Sequence, residues 1–103
     1  MVSKDSWPFD QPRDCAVLVT REVLDHKEPI LLVTHDAGDE GWQFVGSSDG
    51  SLENGRVIAL HEAVELDPSV LQLADMPVGW HALRDSPEHP WRREAIGDAH
   101  ETI

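Results

Sequence analysis

The sequence predicts an α+β protein in which a small antiparallel sheet of four to five strands packs against one or two short helices. Short runs rich in β-branched and aromatic residues, separated by turn residues, are typical of strands. Between two of these runs the apolar residues change to a helical spacing. The chain of 103 residues is about one domain long. We therefore predict a single domain over 1–103, with an ordered core over 7–93 and a frayed tail over 94–103.

Three strands are predicted in the first half of the chain. The opening DSWPFDQPRD contains two prolines, which exclude a helix interior and predict an extended arm anchored by Trp7 and Phe9. The runs CAVLVTREV from Cys15 and PILLVTH from Pro29 predict two strands joined as a hairpin. The alternating run GWQFVG predicts a third antiparallel strand, and the acidic segment 36–40 forms the tip of the hairpin before it.

The second half combines strands with short helices. The segment SSDGSLENG is typical of an exposed loop. A strand or entry segment is predicted over 56–59, followed by a helix over 60–65. Pro68 ends that pattern, and Asp67 is positioned to cap a second helix over 68–74. The alternating run GWHALRD predicts a fourth strand, and we expect the helices to lie together on one face of the sheet.

The four tryptophans indicate architecture more than chemistry. Trp42 and Trp80 fall in strand patterns, where a core position is expected. Trp7 and Trp91 lie beside prolines in irregular segments, and we expect them to hold the two ends of the chain against the sheet. The alternative is a contact with a partner, because tryptophan is enriched among interface hot spots.

The charge of the chain restricts its partners. Eight basic and twenty acidic residues give a net charge of −12. Such a chain repels phosphate backbones, and we expect no direct binding to nucleic acid because that binding depends on Lys and Arg. A basic protein is the natural complement. The alternative is that the acidity serves solubility alone.

The N-terminal residues and the cysteine content predict a cytoplasmic protein. Cys15 is the single cysteine, so no internal disulfide can form, and its apolar surroundings favour a small core residue over a nucleophile. The opening MVSKDSWPFDQP lacks the apolar segment of a signal peptide. No run approaches the roughly 18 apolar residues that a membrane span requires. We therefore expect neither secretion nor membrane insertion.

The stretch THDAGDEGWQF places one imidazole close to three carboxylates. Its side chains His35, Asp36, Asp39 and Glu40 are of types that bind divalent cations. Their spacing matches neither a calcium-binding EF-hand loop nor the helical histidine pair of zinc hydrolases. Asp and Gly are also the residues that a hairpin turn requires. No metal or cofactor is predicted, and a small metal-dependent hydrolase built on these four residues is kept as an alternative.

No catalytic residue is predicted elsewhere. Asp39 and Glu40 would need burial for one carboxyl pKa to rise toward neutrality, which a polar hairpin tip does not provide. The sequence contains no G-x-S-x-G nucleophile turn and no glycine-rich loop opening a helix. The sequence therefore favours a protein that is not an enzyme.

The segments WPFDQPRDCAVLVT, EPILLVTHDAGDEGWQFVG, ALHEAVELDPSVLQLADMPVGW and SPEHPW resemble a bacterial family of domains of unknown function that is grouped with the immunity proteins of polymorphic toxin systems. The resemblance covers about residues 7–93. It implies a small cytosolic α+β protein that blocks the active site or substrate surface of a toxin. No catalytic residue is implied.

An inhibitor requires only a complementary surface, and opposite charges accelerate its encounter with a basic enzyme. We place that surface on the acidic tip and on the acids of the predicted helices, which are Asp36, Asp39, Glu40, Glu62, Glu65 and Asp67. The alternative within this class is a stand-alone accessory or regulatory domain without a toxin. The exposed edge strands of such a sheet are compatible with a monomer or a weak homodimer.

Overall fold

A six-stranded mixed sheet forms the frame of the protein in the computed structural model, which describes residues 7–38, 40–46 and 55–96. In chain order the strands are β1 Ala16–Thr20, β2 Leu32–His35, β3 Trp42–Val45, β4 Gly55–Ala59, β5 Trp80–Leu83 and β6 Arg92–Ala95. Their spatial order is β4-β1-β3-β2-β5-β6. The α+β class is confirmed, but the sheet has one strand more than predicted and is not wholly antiparallel.

The predicted hairpin of the first two strands is wrong. β1 pairs with β3 in parallel and with β4 in antiparallel orientation. The run CAVLVTREV ends its strand at Thr20 and continues as helix α1, Arg21–Leu24. Hydrogen bonds from the Lys27 and Glu28 amides to the Glu22 carbonyl then fold the connection to β2. This connector is longer than a hairpin turn, and β3 lies between β1 and β2 in the sheet.

The hairpin of β2 and β3 is confirmed. The two strands are antiparallel, with Val33 opposite Phe44 and His35 opposite Trp42. The acidic segment 36–40 lies between them, as predicted. At its start the Asp36 amide donates to the Gly41 carbonyl over 2.8 Å, which closes the loop.

The two predicted helices beyond β4 are confirmed. Helix α2 spans Leu60–Leu66, and a 3₁₀ helix spans Pro68–Leu73. The Glu62 carboxylate accepts the Ala59 amide at the start of α2 over 2.9 Å. The Asp67 carboxylate accepts the Ser69 amide over 3.0 Å. Each side chain thus satisfies a backbone donor that a helix N-terminus leaves without a partner.

The core lies on one face of the sheet, beneath the helices. Strand residues that share this face by register are buried together with the inner residues of α2 and the 3₁₀ helix, and the set includes Val17, Val19, Val33, Trp42, Phe44, Ala82, Leu60, Ala63, Val70 and Leu73. Trp42 is confirmed as a core residue, whereas Trp80 is half-buried at the margin of the core.

The closing segment contributes a strand that the sequence did not predict. β6 pairs antiparallel with β5, so the predicted frayed tail over 94–103 begins inside a strand. The predicted loop SSDGSLENG spans residues 47–55, of which 47–54 lie outside the described residues and Gly55 begins β4. The end of the predicted tail, residues 97–103, also lies outside the described residues. In the described part of the chain no helix is long and apolar enough to cross a membrane.

Candidate functional site

Four segments meet at the end of the sheet where β2 turns into β3, which we call the tip end. They are the start of β3, the described residues 36–38 and 40 of the hairpin tip, the N-terminal arm 7–14 and the loop 74–79 that follows the 3₁₀ helix. The Gly79 amide donates to the His35 carbonyl over 2.7 Å and ties that loop to β2. Gly79 has a φ of 83°, a left-handed conformation that glycine adopts without strain.

The arm is held at the tip end by aromatic packing. Phe9 is buried and meets Trp42 edge to face, with ring centroids 5.2 Å apart. Trp7 packs on Phe9 with centroids 5.4 Å apart. Gln11 accepts a hydrogen bond from each indole, through its carbonyl from Trp7 over 2.7 Å and through its side chain from Trp42 over 3.1 Å. The predicted anchoring of the arm is therefore confirmed.

His35 is buried beside this cluster, with 7 % of its surface exposed. Its ring stacks on Trp42 with centroids 4.0 Å apart. Its Nδ1 lies 2.8 Å from the Met76 carbonyl oxygen, which can only accept, so Nδ1 carries the hydrogen. The other ring nitrogen, Nε2, is buried without a hydrogen-bond partner among the described residues, at a cost of about 1–3 kcal/mol.

His35 lines a cavity of about 400 Å³ between the arm, the hairpin tip and the loop after the 3₁₀ helix. The polar side chains around it are those of Asp10, Gln11, His35, Glu40 and Asp75, and its apolar wall consists of Ala74 and residues 76–78. Asp10 and Glu40 are exposed and form no ion pair with any other described residue. The cavity therefore carries negative charge that no described cation balances at these two residues.

Asp75 is the one acid of this cavity whose charge is balanced by a described cation. Arg93 of β6 donates 2.7 Å hydrogen bonds through Nη2 to the Asp75 carboxylate and to the Gln72 carbonyl. The hydrogen bond, and then the charge, of Arg93 hold the pKa of Asp75 below its ordinary value of 3.8. The unpredicted strand β6 thus fixes one wall of the cavity.

We expect Arg93→Met to return the pKa of Asp75 toward its ordinary value. Because that pKa is lowered on folding, the pair stabilises the protein above pH 3.8 and loses this contribution as the pH falls through the folded pKa. An NMR titration of the Asp75 carboxyl carbon measures the shift. Arg92→Met is the control, since Arg92 pairs with Asp85 instead. An Asp75 titration midpoint unaltered by Arg93→Met would contradict the assignment.

The structure separates the predicted contact acids into two groups. Glu40 lines the tip-end cavity, and Asp36 lies beside it with its carboxylate accepting the Gly38 amide over 2.7 Å. Glu62 and Glu65 lie on α2 and line a different cavity of about 370 Å³ beside Leu24 and Ile58. Asp39 lies outside the described residues.

Asp67 belongs to the fold rather than to an open surface. Its carboxylate forms a short ion pair with Arg84, whose side chain is almost fully buried. The same guanidinium donates to the Ile30 carbonyl over 2.8 Å and to Ser69 Oγ over 3.1 Å, and lies 4.2 Å above the ring centroid of Trp91. Trp91 therefore holds the closing segment against the sheet, as predicted.

The metal-site alternative finds no assembled ligand set in this geometry. Within residues 7–38, 40–46 and 55–96, no group of three or more His, Cys, Asp or Glu side chains is arranged to hold a metal ion. His35 Nδ1 is occupied by the Met76 carbonyl, and an Asp36 oxygen by the Gly38 amide. These two candidate ligands therefore use one polar atom each in hydrogen bonds, His35 to the loop 74–79 and Asp36 within the hairpin tip.

Sequence reasoning identified part of this site and missed the rest. Glu40 and His35 were singled out, but Asp10 and Asp75 were not. Asp10 belongs to the arm, whose return to the hairpin is encoded only weakly, by the pair of aromatics before it. Asp75 follows the 3₁₀ helix, and nothing local indicates that this helix points back to the tip end.

Comparisons of the chain with protein-family models, with curated proteins and with solved structures find no match. The site is therefore interpreted from its own geometry.

Proposed function

We propose that this protein is a non-enzymatic, acidic, cytoplasmic protein-binding domain whose contact surface is the tip end and whose partner is a basic protein. The observation that carries the proposal is the tip-end cavity, which Asp10 and Glu40 line without an ion pair to any other described residue. A group that donates hydrogen bonds and carries positive charge complements both carboxylates. Lys and Arg side chains of a partner have both properties.

The overall charge supports the same proposal. With a net charge of −12, the chain attracts a basic partner over long range and accelerates the encounter. In view of the resemblance to immunity proteins, we propose a toxin as the kind of partner, blocked by occupation of its surface. Asp67 is left out of the proposed surface because Arg84 already neutralises it.

The experiment measures partner binding by matched charge variants. Asp10→Asn/Glu40→Gln removes two charges at the cavity, and Asp25→Asn/Glu88→Gln removes two at exposed positions outside it. Proteins that bind the immobilised wild-type chain from extracts of its source cell are identified and then purified. We expect a partner rich in Lys and Arg, with a Kd that rises with salt.

We expect the cavity variant to weaken binding about tenfold or more and the control variant to change it little. If the partner is a toxin, co-expression of the wild-type protein restores growth of the cells that make the toxin, and the cavity variant does so less well. Equal binding by both variants, or binding that salt does not affect, would overturn the tip end as the contact surface.

A further inference from the structure

We propose that strand β4 is a contact surface for a second copy of this chain, and that the two sheets join edge to edge across a twofold axis. The tip-end cavity is not involved, because none of the residues that line it belongs to β4. Three features of β4 point to this partner: its free edge, the exposed side chain at its centre, and the charges of opposite sign on its helix side.

The two edges of the sheet differ in their protection against a further strand. β4 and β6 are the outermost strands, and no described strand pairs with the outer side of either. β6 has the sequence RREA, and charged side chains are a usual means of keeping other strands away from an edge. β4 has the sequence GRVIA, which contains no proline and one charged residue. β4 is therefore the edge that is open to pairing.

Val57 lies at the centre of this edge. It is the middle residue of β4 and is 68 % exposed, more than Val78 or Ile96, the other exposed large hydrophobic residues of the described chain. Its partner in β1 is Leu18, on the face of the sheet away from the core. In an antiparallel pairing centred on Val57, the two Val57 side chains lie directly opposite each other and cover apolar surface that each copy alone leaves in water.

Arg56 and Ile58 lie on the opposite face of β4, beside the helices. Their partners in β1 are the core residues Val19 and Val17. The same twofold pairing places Arg56 of one copy opposite Ile58 of the other, because residues at equal distances from the centre meet. This contact occurs twice, once on each side of the axis.

The surroundings of Ile58 complement the charge of Arg56. Ile58 lines the cavity of about 370 Å³ together with Glu62 and Glu65 of α2. Neither acid forms an ion pair with a described Lys or Arg, and Arg56 forms none with a described acid. Pairing of two copies brings Arg56 of each copy to the acids of the other. A surface that carries both members of such a pair is self-complementary, as a twofold interface requires, which favours a second copy over an unrelated partner.

The contact is small, and we expect a weak dimer. β4 contributes five residues from each copy, and the net charge of −12 on each chain opposes association at low ionic strength. At about 0.15 M salt, charges are screened beyond roughly 8 Å, whereas directly opposed side chains are closer than that. The dissociation constant is therefore expected in the micromolar range.

Sedimentation velocity of the full chain in about 0.15 M NaCl, at concentrations that span the micromolar range, measures this dimer. We expect the wild-type protein to pass from monomer to dimer. Val57→Lys places two ammonium groups opposite each other at the axis and is expected to raise the dimer Kd about tenfold or more. Ile96→Lys is the matched control, since Ile96 is 44 % exposed and follows β6 at the other edge of the sheet. Circular dichroism verifies that each variant is folded.

A charge exchange tests the contact on the helix side. Arg56→Glu opposes like charges and is expected to weaken the dimer about tenfold, and Arg56→Glu/Glu65→Lys is expected to recover most of that loss. Glu65 is exchanged rather than Glu62 because the Glu62 carboxylate accepts the Ala59 amide at the start of α2. A double variant that dimerises no better than Arg56→Glu would overturn the proposed pairing.

Cysteine cross-linking tests the register. In a chain with Cys15→Ala, which removes the single native cysteine, Val57→Cys places two thiols at opposed positions. The Cα atoms of opposed positions are about 4.5–5.5 Å apart, within the range of a disulfide. We expect mild oxidation to link Val57→Cys and not Arg56→Cys, because position 56 lies opposite position 58. A wild-type chain that stays monomeric throughout, which would leave β4 open to a strand of another protein, or equal cross-linking of both variants, would overturn the inference.

Discussion

Replacement of Arg84 by alanine is expected to lower the free energy of unfolding by about 3–5 kcal/mol, the usual result of leaving one member of a buried ion pair without its partner. Arg84 has 6 % of its surface exposed, and its guanidinium serves Asp67, Ser69 and the Ile30 carbonyl together. Alanine would leave the Asp67 carboxylate and the Ile30 carbonyl without these donors and would uncover the face of Trp91.

Urea unfolding followed by far-ultraviolet circular dichroism measures this loss. In thermal unfolding we expect the Tm to fall by more than about 10 °C in a domain of this size. Arg92→Ala is the matched control, because Arg92 and Asp85 lie 3.7 Å apart with side chains 50 % and 70 % exposed. Such exposed pairs contribute less than about 1 kcal/mol. If Arg84→Ala lowered the free energy of unfolding no more than the control does, the stabilising role of the Arg84 contacts would be contradicted.

Trp42→Ala is expected to be comparably destabilising, by about 3–5 kcal/mol, since it removes a large buried side chain and leaves a cavity. Trp42 is 1 % exposed and contacts both strand β2 and the N-terminal arm. It stacks on His35 and packs against Phe9, and it donates a hydrogen bond to Gln11. We therefore expect the variant to release the N-terminal arm as well as to weaken the core.

Two measurements separate these effects. Urea unfolding reports global stability, and limited proteolysis of the folded protein reports release of the arm through cleavage within residues 7–14. Trp42→Phe retains a stacking ring but loses the hydrogen bond to Gln11. We expect this substitution to lower the free energy of unfolding less than Trp42→Ala does, with about 1 kcal/mol of the loss coming from the hydrogen bond. Val57→Ala is the control, since Val57 is 68 % exposed. Cleavage of the arm at the wild-type rate in Trp42→Ala would contradict the anchoring role.

The local elements of this fold are readable from the sequence because their signals are local. β-branched runs predicted β1 and β2, alternation predicted β3 and β5, and the Asp-Pro pair at 67–68 predicted a capped helix, which the structure shows to be a 3₁₀ helix. The pairing of the strands was not readable, since a β-branched run specifies a strand and not its neighbour. β6 was missed because the segment RREA is charged and lacks the apolar alternation of a strand.

In the candidate site, too, local features could be predicted from the sequence and long-range contacts could not. Asp36 and Glu40 are four residues apart in sequence, so their position at one hairpin tip could be predicted. Asp10, His35 and Asp75 are far apart in sequence and line one cavity only because the arm and the loop after the 3₁₀ helix return to one end of the sheet. Conversely, Asp67 resembled a surface acid in the sequence, and only the burial of Arg84 shows that its charge is already used.

By itself the sequence determined the α+β class, the acidic charge, the β2–β3 hairpin with its acidic tip and the helix that Asp67 caps, since each depends on residue types within a few positions of one another. The tertiary structure alone decided the mixed strand order, the addition of β6 and the cavity that His35 lines together with Asp10 and Glu40. Those features depend on contacts between distant segments, and packing and hydrogen bonding select such contacts only when the whole chain is folded.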